Sequence, residues 1–208
     1  MGKPPLTFRR LSGLDRSGPP PPQTLPGQPL RPWTIPNAIV YVRAALIPVF
    51  LILAFTSDAG TDALPAILFL AITLGDYADG IAARVTGQYS RLGALLDPVV
   101  DRLIILSGVV VCWHFELLPR WGLYVLAGRE ALMLLAGPPL VRRGVEIRIN
   151  WPGRWSVWPL MGAVFLALCG VEDVAKWLLY VGLALSIWAT VLYGVSAVRQ
   201  LRQPSRSA

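Results

Sequence analysis

Several apolar runs of about 18 residues or more, long enough to cross a hydrocarbon layer as a helix, defeat a soluble-core reading. Inside lipid only a structure that satisfies its own backbone hydrogen bonds survives, and no alternation of apolar and polar residues suggests a membrane β-barrel. The runs predict an all-α integral membrane protein with six transmembrane helices, at about 36–55, 63–83, 97–113, 121–141, 155–171 and 175–198. A content of 54% hydrophobic and 15% charged residues agrees with that class. Trp33 suits an interfacial anchor, Pro36 the first helical turn and Pro48 a kink.

Outside these runs lie two tails. Residues 1–32 are rich in Pro, Gly and Arg and are expected to be disordered, and residues 201–208 form a short basic end. No uninterrupted apolar core precedes Ala38, so no cleaved signal peptide is expected. The net charge of +7 sits mainly at the ends of apolar runs, which points to anionic headgroups and away from nucleic acid. Arginines gather on alternate loops (Arg84 and Arg91, then Arg142, Arg143, Arg148 and Arg154, then Arg199, Arg202 and Arg206). Both termini are therefore expected in the cytoplasm of a multi-pass cell-membrane protein. Cys112 and Cys169 lie inside apolar runs without metal spacing and read as small core residues. His114 reads as an interfacial side chain, and Gly182 and Ser186 would permit close helix contact.

Four acids break the apolar pattern between Gly75 and Arg102. Asp76 and Asp79 are spaced i,i+3 and Asp97 and Asp101 i,i+4, so each pair projects from one helix face and the two faces can meet across a helix–loop–helix turn. An acid in mid-membrane costs about 2.5–3.5 kcal/mol by insertion scales, and four would cost on the order of ten, so a cation is expected to offset them. Oxygen donors without nearby histidine or thiolate select Mg²⁺, Mn²⁺ or Ca²⁺ over Zn²⁺. Such ions serve phosphoryl chemistry by neutralising a diphosphate and its leaving phosphate. Gly80 and Gly93 leave room for a ligand near the backbone, and Arg84 can offer a phosphate-binding fork. Arg43, inside the first run, must snorkel or face this polar site. The site should open toward the cytoplasm.

Asp76, Asp79, Gly80, Ala83, Arg84, Gly93, Asp97 and Asp101 match D-x-x-D-G-x-x-A-R-x8-G-x3-D-x3-D at every position, and the chain thereby resembles the CDP-alcohol phosphatidyltransferase family over about residues 33–200. The resemblance implies the CDP-alcohol phosphotransferase fold and a membrane enzyme, commonly a homodimer, that releases CMP from a CDP-linked lipid when an alcohol attacks. By that likeness Asp76, Asp79, Asp97 and Asp101 would bind one or two Mg²⁺ or Mn²⁺ ions, and Asp101 would also be the general base. Gly80, Arg84, Gly93 and Asn37 would contact the CDP portion of CDP-diacylglycerol.

Arg129 and Arg154 resemble acceptor positions of the glycerophosphate-type branch, and with Arg142 and Arg143 suit an anionic glycerol-type acceptor. The reading favours glycerol 3-phosphate as acceptor, that is, a phosphatidylglycerophosphate synthase. Arg102 and Arg154, where that branch usually carries lysine, together with the aromatic last span, look more like the CMP-forming cardiolipin synthases, which use phosphatidylglycerol. An ion-coupled transporter is the remote alternative, since intramembrane acids also mark ion paths.

Overall fold

A computed structural model describes residues 22–25, 27–142 and 151–202, except for the side chains of 137, 138, 140–142, 154, 201 and 202. Most of both expected tails, and the basic loop after Arg142, lie outside the described residues. After a 3₁₀ turn at Pro22–Thr24 come six long α-helices: α1 (Ile35–Phe55), α2 (Ala63–Thr86), α3 (Arg91–His114), α4 (Arg120–Arg142), α5 (Trp151–Leu168) and α6 (Glu172–Arg202).

Three of them, α1, α2 and α6, are long and apolar enough to cross a membrane, and they associate the chain with one. The other three dilute their apolar content with charge or polar groups. Arg91, Asp97, Asp101 and Arg102 fall in the first half of α3, Arg129 and Glu130 interrupt α4, and α5 opens on Trp151-Pro152-Gly153-Arg154. Exposed apolar side chains such as Val42 and Ile52 on α1, Ile67 on α2, Leu103 on α3 and Trp177 and Trp188 on α6 are what a lipid-facing surface presents.

The third helix departs from its expected start. It begins at Arg91, well before Asp97, because Ser90 caps it: the Ser90 hydroxyl oxygen accepts the Gly93 N–H at 2.9 Å, the bond that an N-cap side chain makes to the third helical residue. Pro98, expected in the first turn, therefore lies inside the helix. The α2–α3 connection shrinks to residues 87–90, entered through Gly87 at φ 66°. A left-handed φ there favours glycine over any side chain.

The chain divides into two compact units, one of Met1–Leu53 and Ile67–Ile104, the other of Ala54–Ala66 and Ile105–Ala208. The first buries Val40, Phe50, Phe69, Ile72, Val100 and Ile104, with the Phe50 and Phe69 rings 5.5 Å apart. Within it the start of α1 is tied down twice. The Ile35 N–H donates to Gln88 Oε1 at 3.0 Å, and the Asn37 side chain is held by Arg31, Pro32 and Ser90. Each tie satisfies a polar group that a helix end or a buried amide would otherwise leave open.

In the second unit α6 packs on α5 and α4. Leu160, Val164 and Leu168 are buried there with Ala175, Leu179 and Leu183. A Cβ on Gly182 would stand 2.7 Å from Leu160 Cγ, so the close approach expected of this residue is realised within the chain, against α5. Ser186 is fully buried and donates to the Leu183 carbonyl. Helix α5 ends in a Schellman motif, with Gly170 at φ 75°, the Gly170 N–H on Ala167 O and the Val171 N–H on Leu166 O. That early stop corrects one expectation: Cys112 is buried, but Cys169, next to the cap, is exposed and not a core residue. His114 sits edge-on to the Phe55 ring, 5.0 Å away.

Candidate active site

The candidate site lies wholly in the first unit. The C-terminal part of α2 carries Asp76, Asp79, Gly80 and Arg84, the N-terminal half of α3 carries Gly93, Asp97 and Asp101, and α1 carries Asn37 and Arg43. The four-residue connection folds α3 back beside α2, and the acids of both helices meet at one guanidinium.

That guanidinium is Arg43. Its side chain is 4% exposed; Nη1 lies 2.8 Å from Asp79 Oδ2 and 3.5 Å from Asp76 Oδ1, and Nη2 lies 2.8 Å from Asp101 Oδ1. Nε donates to the Ile72 carbonyl at 3.1 Å. Of the two options open to Arg43, the polar site is the one taken. Asp79 is nearly as buried as Arg43, whereas the Asp76 and Asp101 side chains are 47% and 39% exposed, so the cluster has a closed floor and an accessible rim. The two 2.8 Å contacts are charge-assisted hydrogen bonds, and the planar guanidinium presents its two terminal nitrogens in a fixed fork to carboxylates on different helices.

Asp97 stands apart in its bonding. Its Oδ1 is buried and has no hydrogen-bond partner, the kind of atom that a bound cation or water satisfies. With four carboxylates beside one guanidinium the residue set is still anionic, and all its donors are hard oxygens, so the set fits a divalent cation such as Mg²⁺ or Mn²⁺. Among the described residues, however, no group of three or more His, Cys, Asp or Glu side chains stands as a formed metal site. Arg43 takes up those oxygens instead.

The two motif glycines have protein neighbours. A Cβ on Gly80 would stand 3.3 Å from Arg84 Nη2, so the glycine makes room for the guanidinium one turn on. A Cβ on Gly93 would come within 2.6 Å of Asn37 Oδ1 and 3.1 Å of Ser90 Oγ. Asn37 is 1% exposed; its amide donates to the Arg31 and Pro32 carbonyls, both at 3.1 Å, and its Oδ1 accepts the Ser90 hydroxyl at 2.8 Å. Beside these residues a shallow cavity of about 310 Å³ opens at the start of α1, lined by Trp33, Thr34, Tyr41 and Gln88 among others.

Ser90 and Gln88 join the site without having stood out in the sequence. Serine directly before a helical stretch is an N-cap signal and would have flagged Ser90, but nothing local marks Gln88. The expected acceptor residues belong to the second unit. Arg129 pairs with its neighbour Glu130, which is 2% exposed. The Arg154 backbone opens α5, and its side chain is outside the described residues.

Comparison with known proteins bears on this arrangement. Residues 33–188 match the family model described as CDP-alcohol phosphatidyltransferase. The chain is 38% identical over 185 residues to "Cardiolipin synthase (CMP-forming)" of Streptomyces coelicolor, covering 84% of this chain and 85% of that one. It is 32% identical to "Putative cardiolipin synthase" of Mycobacterium tuberculosis, covering 82% and 85%. To "CDP-diacylglycerol--glycerol-3-phosphate 3-phosphatidyltransferase" of Bacillus subtilis it is 28% identical, covering 64% and 75%.

Proposed function

Since the chain belongs to the CDP-alcohol phosphatidyltransferase family, we propose that it transfers the phosphatidyl group of CDP-diacylglycerol to phosphatidylglycerol, forming cardiolipin and releasing CMP. The observation that carries the transferase chemistry is the meeting of Asp76, Asp79 and Asp101 from two helices at one buried cationic position. A cation is already accommodated there, and the donor set suits a divalent one.

In this reading Asp76, Asp79, Asp97 and Asp101 hold one or two Mg²⁺ or Mn²⁺ ions. Such an ion, when bound, neutralises the diphosphate and stabilises the departing CMP phosphate. The residues of the chain do the rest. Arg84, lying over Gly80, offers its guanidinium to the diphosphate. Asn37, packed on Gly93 and clasped by Ser90, fixes the wall against which the cytidine end of the donor rests. Asp101, on the accessible rim, accepts the proton of the attacking hydroxyl as a new P–O bond forms and the bond to CMP breaks. The near-total burial of Asp79 and Arg43 keeps water from the floor of the cluster.

The acceptor is the finer point. Glycerol 3-phosphate is the first expectation on family abundance, but the 38% and 32% identical relatives carry the name cardiolipin synthase, while the glycerol-3-phosphate enzyme is 28% identical. Arg102 and Arg154 support the same side. Glycerol 3-phosphate is the second reading, favoured by the resemblance of Arg129 to an acceptor position of the glycerophosphate-type branch. Arg129 and Arg154 are proposed to meet the anionic acceptor in either case. Family membership displaces the ion-coupled transporter. The setting we propose is a homodimer of six-span chains in the cell membrane, with both termini and the carboxylates facing the cytoplasm.

Incubation of the purified protein with CDP-diacylglycerol, Mg²⁺ and each acceptor in turn, with CMP release and product mass as readouts, tests both levels. Cardiolipin formed only with phosphatidylglycerol bears out the proposal. Phosphatidylglycerophosphate formed from glycerol 3-phosphate transfers it to the second reading, and no product with either acceptor overturns it.

A further inference from the structure

The steps above use Arg43 only to exclude water, although it is among the most buried charged side chains in the first unit and touches three of the four motif acids. We propose that Arg43 is the resident counter-ion of the carboxylate cluster and competes with the divalent cation for Asp79 and Asp101, so that it sets the affinity of the site for that cation. The inference rests on the cation-dependent reading just given.

Three observations support it. The guanidinium spends both terminal nitrogens on the oxygens that a hard cation would seek, at 2.8 Å to Asp79 and to Asp101. A carboxylate oxygen that accepts such a bond presents less charge to a second cation, and two cations at one cluster repel each other. Next, Arg43 is seated by the protein: Nε is tethered to the Ile72 carbonyl at 3.1 Å, one helical turn before Asp76. Finally, its stem passes where only a glycine leaves space. A Cβ on Gly75 would lie 2.9 Å from Arg43 Cδ and 3.0 Å from Cγ, so the residue directly before the first motif acid admits the arginine to the cluster.

The arrangement separates two states of the same acids. Without a divalent cation, Arg43 holds Asp79 and Asp101 together and limits their mutual repulsion. With one, those two carboxylates exchange the guanidinium for the cation. Cation affinity is then the difference between two favourable interactions, and weakening the first strengthens the second.

Binding of Mn²⁺ to the detergent-purified full chain, followed by loss of the free-Mn²⁺ paramagnetic resonance signal, tests this without any reliance on turnover. Arg43→Gln removes the competing charge, and half-saturation is expected at about tenfold lower Mn²⁺, a typical size for coupled sites. Its unfolding temperature in chelator should fall below wild type and recover with Mn²⁺. Gly75→Ala keeps the arginine but crowds its stem, and should shift Mn²⁺ binding in the same direction. Should Arg43→Gln not fold, Gly75→Ala decides alone. Wild-type or weaker Mn²⁺ binding in the folded variants, with the wild type itself binding Mn²⁺, would make Arg43 a brace for the carboxylates and overturn the inference alone. Absence of Mn²⁺ binding in the wild type would overturn the cation-dependent reading and this inference with it.

Discussion

The Ser90 hydroxyl donates to Asn37 Oδ1 at 2.8 Å while its oxygen accepts the Gly93 N–H at 2.9 Å, so one side chain both caps α3 and fastens α1 to it. Ser90→Ala removes the cap and leaves a buried amide oxygen unpartnered, at a combined cost of about 2–4 kcal/mol. A lower unfolding temperature in detergent, largely restored by Ser90→Thr, is the expected result. An unchanged temperature in Ser90→Ala would mean that the clasp contributes nothing.

Asp101 sits on the accessible rim of the acid cluster, 39% exposed. Asp101→Asn keeps an oxygen for Arg43 but can no longer take a proton, and CMP release is expected to fall by about 10²–10⁴-fold, the range for a lost general base. Asp97→Asn, at the buried unpartnered oxygen, should also abolish release. A near-wild-type rate in Asp101→Asn would assign the proton to another group.

Chelation offers a separate check on the donor set. Because every candidate ligand is a carboxylate oxygen, activity should vanish in EDTA and return with Mg²⁺ or Mn²⁺, whereas Zn²⁺, which prefers nitrogen and sulfur donors, should restore little. Full CMP release in excess chelator would remove the cation from the reaction.

Gly182→Ala tests packing away from the chemistry. Its methyl would stand 2.7 Å from Leu160 Cγ and 3.1 Å from the Leu160 backbone nitrogen, and an overpacked contact of that kind costs about 1–3 kcal/mol. Gly194→Ala, which meets nothing within 4 Å, should stabilise α6 by about 0.5–1 kcal/mol through helix propensity. Equal effects at the two positions would contradict the close α5–α6 contact.

Run length and acid spacing were enough to place all six helices and both aspartate pairs, because each of these depends on neighbours close in sequence. The start of α3 was missed, since Pro98 after Asp97 imitates a helix opening and the actual cap is the unassuming Ser90. Arg43 was legible as a misfit, but its destination was not. Its partners lie 33, 36 and 58 residues away, and no local periodicity encodes such a distance. The motif glycines read as space for a ligand, and the space holds Arg84, one turn on in the same helix, and Asn37, which only the tertiary fold brings to Gly93.

Helix α6 has 31 residues, about 46 Å at 1.5 Å per residue, against a hydrocarbon thickness of about 30 Å. The apolar stretch, residues 177–198, is about 33 Å long and close to that thickness, so the excess lies in the charged turns at either end, which suit the headgroup region. One consequence is anchoring: Trp177 opens that stretch and Arg199 closes it, so both of its boundaries carry side chains that favour a membrane interface.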